Sequence, residues 1–183
     1  MKTLCTRGFT LIELLIGLAI FAFLVVLAGP TYFDLMGNTQ VRTAAENSLD
    51  GVRVAQHEAL RRNAIARFVF TPATGWQVDY LDDETTAFVF VQRYKFQEGA
   101  SKTTQVPTPG DATTVTFNGL GRVTDNVDAS PRLNRMDFSN VSVTASAQRP
   151  LRVVVSDPNA NAAIKLCDPD PGVATTDARA CPP

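Results

Sequence analysis

The sequence is short of the residues that carry most enzyme chemistry. One histidine and three cysteines in 183 residues leave no His/Cys cluster at metal-ligand spacing. No Gly-x-Ser-x-Gly elbow, phosphate loop, dinucleotide loop or His-Glu-x-x-His pair occurs. Asp82-Asp83-Glu84 lacks the spaced oxygen ligands of a calcium loop and reads as a solvated turn. An enzyme is therefore the class supported least, and neither metal nor cofactor is expected. Neither sign of charge dominates. Seventeen Lys+Arg against 18 Asp+Glu, formally −1, argue against a protein built wholly around nucleic acid. Only one stretch is apolar enough to span a bilayer, which excludes a polytopic membrane protein. The length suits one ordinary domain.

That one stretch decides the reading. Met1 to Gly8 is short and polar and carries Lys2 and Arg7. Phe9-Thr10-Leu11-Ile12-Glu13 follows, then an uncharged run from Leu14 to Phe33. As a helix this run reaches roughly 30 Å, one hydrocarbon core. A soluble core helix would keep a polar face, and this run has none. A secretory signal would place its small-residue cleavage site after the apolar stretch. Here no Ala-x-Ala follows, and Gly8 stands before it. Lys2 and Arg7 are expected to stay in the cytoplasm, with Asp34 onwards outside. Glu13 within such a helix costs about 2.5–3.5 kcal/mol, which calls for a partner and a function. Pro30, late in the run, removes one helix hydrogen bond and favours a bend.

From Val41 the pattern becomes amphipathic. Val41, Ala44, Ala45, Leu49, Val52, Ala55 and Ala59 recur at spacings of three and four, with Arg42, Glu46, Asp50, Arg53, His57 and Arg61 opposite them. His57 is thus a solvated helix residue in this reading. Arg61 and Arg62 suit the negative end of a helix and Asn63 a left-handed cap. One long helix to about Asn63 is expected. Strands follow at Arg67–Phe70, Trp76–Leu81 and Phe88–Phe96. Val115 and Phe117 precede an Asn118-Gly119 turn that predicts a hairpin. Phe138, Val141 and Val143 predict another strand, and Leu151, Val153 and Val155 a last one. Gly99 to Gly110 reads as a polar loop with two prolines. The fold class is α+β, an antiparallel sheet packed on the helix's apolar face.

Gly8-Phe9-Thr10-Leu11-Ile12-Glu13-Leu14-Leu15 resembles the prepilin cleavage and methylation motif of the type IV pilin family. The resemblance implies a pilin-like fold and a peptidase cut after Gly8, with methylation of the new amino terminus at Phe9. It divides the chain into a leader (1–8), a transmembrane and filament-core helix (9–33), its amphipathic continuation (34–63) and a periplasmic β domain (64–183). Glu13 would pair with the Phe9 amine of a neighbouring subunit, and Pro30 would let the helix bend or loosen in the filament. His57-Glu58-Ala59-Leu60-Arg61-Arg62-Asn63 is similar to the helix end of the GspH/FimT group. Gly75-Trp76-Gln77-Val78, Phe117 to Val123 and Arg152 to Ser156 resemble that group's strand motifs. The group holds minor pilins of type IV pili and the H-type pseudopilins of type II secretion.

Loss of the leader removes Cys5 and leaves Cys167 and Cys181, an even pair in an oxidising compartment, so a disulfide closing a 167–181 loop is expected. Two free thiols are the alternative. Cys167-Asp168-Pro169 with Asp177 to Cys181 resembles the closing segment of FimT-like pilus proteins, which favours a pilus over secretion. FimT-like relatives are linked to DNA uptake through a basic Gly-Arg-x-Arg segment before the first tail cysteine. Here that stretch reads Asn161 to Cys167, and only Lys165 is cationic. A DNA-binding minor pilin remains an alternative if Arg122, Arg132, Arg135, Arg149 and Arg152 gather with Lys165 on one side. The resemblance implies other pilins or pseudopilins, the prepilin peptidase, the inner-membrane assembly platform and membrane lipid as partners. It implies single-pass placement in the inner membrane, then in a filament.

Overall fold

The structure is a computed structural model that describes residues 9–155, 164–174 and 176–182. Helix α1 (Leu11–Arg62) runs for 52 residues and continues without interruption past Pro30. Thr10 caps its start, with its hydroxyl accepting from the Glu13 amide. At the far end Asn63 adopts the left-handed conformation, φ 51°, and donates its N–H to the carbonyls of Ala59 and Leu60. That is the stop the sequence predicts, where a short polar residue tolerates positive φ better than a bulky one.

The strands are β1 (Ala66–Thr71), β2 (Gly75–Leu81), β3 (Phe88–Lys95), β4 (Thr104–Thr108), β5 (Thr114–Phe117), β6 (Val123–Thr124), β7 (Arg135–Ser139), β8 (Leu151–Val154) and β9 (Lys165–Cys167). They form two antiparallel sheets rather than the single sheet expected, ordered β3-β2-β1-β5-β6 and β4-β7-β8-β9. Both turn alternate residues towards one core. The first contributes Phe68, Phe70, Trp76, Val78, Val115 and Phe117; the second contributes Met136, Phe138 and Val153. Phe138 joins them, its ring centroid 6.3 Å from both Phe70 and Phe96. Edge-to-face pairs of this kind add about 0.5–1.5 kcal/mol each to the burial term.

All seven positions of the helix stripe, Val41 to Ala59, are buried. Small residues there let the first sheet approach closely. A Cβ on Gly51 would lie 2.8 Å from the rings of both Phe68 and Trp76.

Three strand expectations need correction. The 99–110 segment is not all loop, because β4 lies inside it and, among the described strands, sits at the sheet edge paired with β7. Pro107, having no N–H, is tolerated on such an edge, and it marks β4 as a boundary strand. Second, β7 ends at Ser139, so Val141 and Val143 do not continue the strand of Phe138. Val141 is 78 % exposed, while Val143 packs at Gly37 of the helix. Third, the β5–β6 hairpin forms, but through a longer turn than Asn-Gly alone. The Asn118 carboxamide oxygen accepts from the amides of Leu120 and Arg122, and Gly121 takes the positive φ of 71°. Phe96 leaves β3 to open a short 3-10 turn and bury its ring.

Candidate functional site

The first half of α1 is an apolar surface that nothing else among the described residues covers. Its large side chains, from Phe9 (88 % exposed) through Phe21 and Val26 to Phe33 (72 %), face outwards on all sides. The apolar window of the helix is long enough to cross a membrane and has none of its residues buried. Bare apolar area on this scale is not stable in water and demands lipid or protein neighbours.

One charge interrupts that surface at its start. The Glu13 carboxylate accepts from the Thr10 backbone N–H at 3.2 Å and from the Thr10 hydroxyl at 3.1 Å, closing a reciprocal capping box. A box of this kind satisfies two of the orphan donors of the helix start. The Thr10-x-x-Glu13 spacing is its sequence signature, a signal separate from the apolar run that follows. Both residues are exposed, so one face of the carboxylate stays open to a further donor. Phe9 precedes the cap directly, two residues before the helix, and Pro30 sits exposed within it. Gly8 and the rest of the leader lie outside the described residues.

Where the bare half meets the domain, one loop straps the helix. The Thr144 amide donates to the Asp34 carboxylate at 2.8 Å. Asn38 donates to the Ala147 carbonyl at 2.8 Å and accepts from the Arg149 amide at 2.9 Å. Gly37 makes the seat, since a Cβ there would lie 2.3 Å from Val143. Sequence reasoning missed this strap because its partners are over 100 residues apart.

Cys167 and Cys181 are joined by a disulfide, with Cα atoms 4.9 Å apart. Asp177 within the loop accepts from the Arg179 guanidinium at 2.9 Å and from its amide at 2.8 Å. Chiefly through that side-chain bond, its carboxyl is held down at about 2. Such a loop, worth about 3 kcal/mol in the chain-entropy view, anchors the tail to β8 through β9.

The candidate DNA-contacting cations do not form one free patch. Arg135, Arg152 and Lys165 share the outer face of the second sheet through the β7–β8–β9 register. Asp137 lies between the two arginines and pairs with both, and the Lys165 ammonium donates to the Ala180 carbonyl at 2.8 Å. Arg132 pairs with Asp125. Arg122 sits on the β5–β6 turn of the other sheet, and Arg149 belongs to the strap. Neutralising phosphates takes clustered cations that are free to move, and here the clustered ones are engaged.

Comparison with known proteins agrees with this architecture. The profile of the prokaryotic N-terminal methylation motif matches residues 5–29, and that of type II transport protein GspH matches residues 44–173. No curated protein sequence matches the chain. Among solved structures, the minor pseudopilin EpsH from the type 2 secretion system of Vibrio cholerae superposes with a TM-score of 0.50 at 12 % identity, covering 70 % of this chain and 97 % of EpsH. The type IV minor pilin FimU of Pseudomonas aeruginosa gives 0.42 at 16 % identity, over 62 % of this chain and 81 % of FimU. At its identity, the likeness to EpsH is one of fold.

Proposed function

The chain belongs to the GspH family, and from that premise we propose that it is a type IV pilus subunit, cut after Gly8, methylated at Phe9 and assembled at a pilus tip or in an initiation complex. Its class is that of the minor pilins and pseudopilins, structural subunits of filaments. The observation that carries the proposal is the bare half of α1, fused without a break to a half that the domain covers. Such a helix suits two successive hosts, first a bilayer and then the core of a bundle of like helices. Lys2 and Arg7 favour a cytoplasmic start and a periplasmic domain.

Glu13 supplies the register in this reading. Cleavage turns Phe9 into a cationic amine, and the open side of the Glu13 carboxylate accepts it from a neighbouring subunit. Both charges are then discharged inside an apolar bundle, where either alone costs several kcal/mol. The partners are other pilins, the peptidase that cuts after Gly8, the inner-membrane platform that assembles the filament, and lipid around the helix. The disulfide-closed tail supports a pilus over a secretion pseudofilament.

Three experiments test this. Mass spectrometry of the protein recovered from its host should show a chain that begins at a methylated Phe9, and an uncut chain overturns the processing step. Deletion of the gene should abolish pili and leave protein secretion intact; the reverse pattern assigns the chain to secretion. Glu13→Ala should still be cut but should not enter filaments, and normal entry would remove the carboxylate from the mechanism.

A further inference from the structure

We propose that the base of the β domain is a phospholipid-contact surface, on which Lys102 and Arg149 meet headgroup phosphates of the bilayer that holds α1. The inference rests on the membrane-anchor reading of the helix and adds a second, separate point of attachment. Depth is the first argument. The uncharged run ends at Phe33, and the strap is tied to Asp34 and Asn38, about 1.5 and 7.5 Å further along a helix. The headgroup layer on each side of a bilayer is about 5–8 Å thick. The strap is therefore held within that layer.

Composition is the second argument. Tyr32 and Phe33, 60 % and 72 % exposed, stand at the depth where aromatic side chains collect in membrane proteins. Val141 projects from the strap at 78 % exposure. Beside them a cavity of about 480 Å³ is lined by Tyr32, Phe33, Met36, Lys102, Ser142 and Val143. Its lining sets the apolar Tyr32, Phe33, Met36 and Val143 beside one cation, Lys102, and the polar Gln40, Asn140 and Ser142, a mixture that suits the boundary between acyl chains and headgroups. Among the described residues neither Lys102 nor Arg149 makes an ion pair; Arg149 donates only to the Gln148 carbonyl with its side chain. Arg149 lies on a neighbouring part of the same base, near Glu46 and Asp168; Glu46 is paired with Arg42, Asp168 accepts from the Asp170 amide, and Asp34 accepts from the Thr144 amide. Long cationic side chains reach phosphates from such positions while their stems lie on apolar surface.

Rigidity is the third. Three hydrogen bonds and the Gly37 seat hold the strap before any lipid arrives, so little ordering remains to be done on contact. The surface would hold the domain upright on the bilayer, and entry into a filament would strip it of lipid.

The test uses the full chain in vesicles of phosphatidylglycerol and phosphatidylethanolamine whose acyl chains carry bromine near the headgroup. Trp76 is the single native tryptophan and is buried, so the parent chain should show no quenching. Val141→Trp should add an indole that bromine quenches. Lys102→Glu with Arg149→Glu should abolish that quenching, which excludes an indole drawn to the interface by its own preference. Quenching that survives the charge reversal overturns the proposal. An unquenched indole in a chain that resists alkaline carbonate overturns it too, while leaving the anchor reading intact. Release by carbonate overturns both.

Discussion

Val25 and Val52 lie on the same unbroken helix, yet the first is 52 % exposed and the second fully covered. Chemistry of the residue does not separate them; what surrounds them does. Around Val52 the helix presents alanines and glycine to a sheet of phenylalanines, and the contact is complete within one chain. Around Val25 the helix offers large side chains in every direction, and none of the described residues covers them. The covered half explains stability, and the bare half explains why the protein needs a membrane and neighbours.

The comparison is broken most forcefully by one charge placed on each half. Val52→Asp buries an unpaired carboxylate among apolar groups and should cost about 3–5 kcal/mol, enough to unfold a marginal domain. Val25→Asp should leave the domain's melting temperature in detergent unchanged and weaken membrane insertion by about 2.5–3.5 kcal/mol. Thermal unfolding and membrane partition of both variants measure the two effects. Equal losses of melting temperature would mean that the halves do not differ in the way described.

A methyl group asks the same question more gently. Gly51→Ala drives a Cβ to 2.8 Å from Phe68 and Trp76, and overpacking of this kind costs about 1–3 kcal/mol. At Gly29 a Cβ meets nothing within 4 Å. Gly29→Ala should be neutral to the domain, and helix propensity favours it by about 1 kcal/mol. Chemical denaturation resolves the difference, and a silent Gly51→Ala would mean that the sheet yields.

The covered half was readable because periodicity is local. The spacing from Val41 to Ala59 and the Asn63 stop needed no knowledge of the partner surface. Strands β1 and β2 were readable for the same reason. The second sheet was not. In β4 the prolines and threonines signal a loop, and only pairing with β7 makes an edge strand of them. Val141 and Val143 looked like strand because they are β-branched and alternate, but their positions are set by the strap to Asp34 and Asn38, contacts made across the length of the chain. At the candidate site, Glu13 and the two tail cysteines stood out by type and spacing. Whether the six scattered cations formed one patch depended on Asp137, which sequence alone does not place between two of them.

The two ends of the helix allow a finer contrast between two glutamates. Glu58 holds Arg61 at 2.7 Å and Arg62 at 2.8 Å, and Arg62 in turn lies over the Tyr80 ring. The Arg61 hydrogen bond in particular lowers the Glu58 pKa from its ordinary value, with Arg62 adding to it. A carboxylate lowered in the folded state stabilises the fold in full above its unfolded pKa, and that support fades as pH falls through the lowered folded value. The melting temperature of Glu58→Gln should therefore lie slightly below that of the parent near neutral pH, and the two curves should converge in acid below the ordinary glutamate range. Curves that stay parallel into acid would show that the pair adds nothing. Glu13→Gln should not lower the domain's melting temperature, because among the described residues its carboxylate bonds only to the exposed Thr10 at the helix start. In the proposed reading its effect belongs to assembly, so that one glutamate serves the chain's own fold and the other a neighbour.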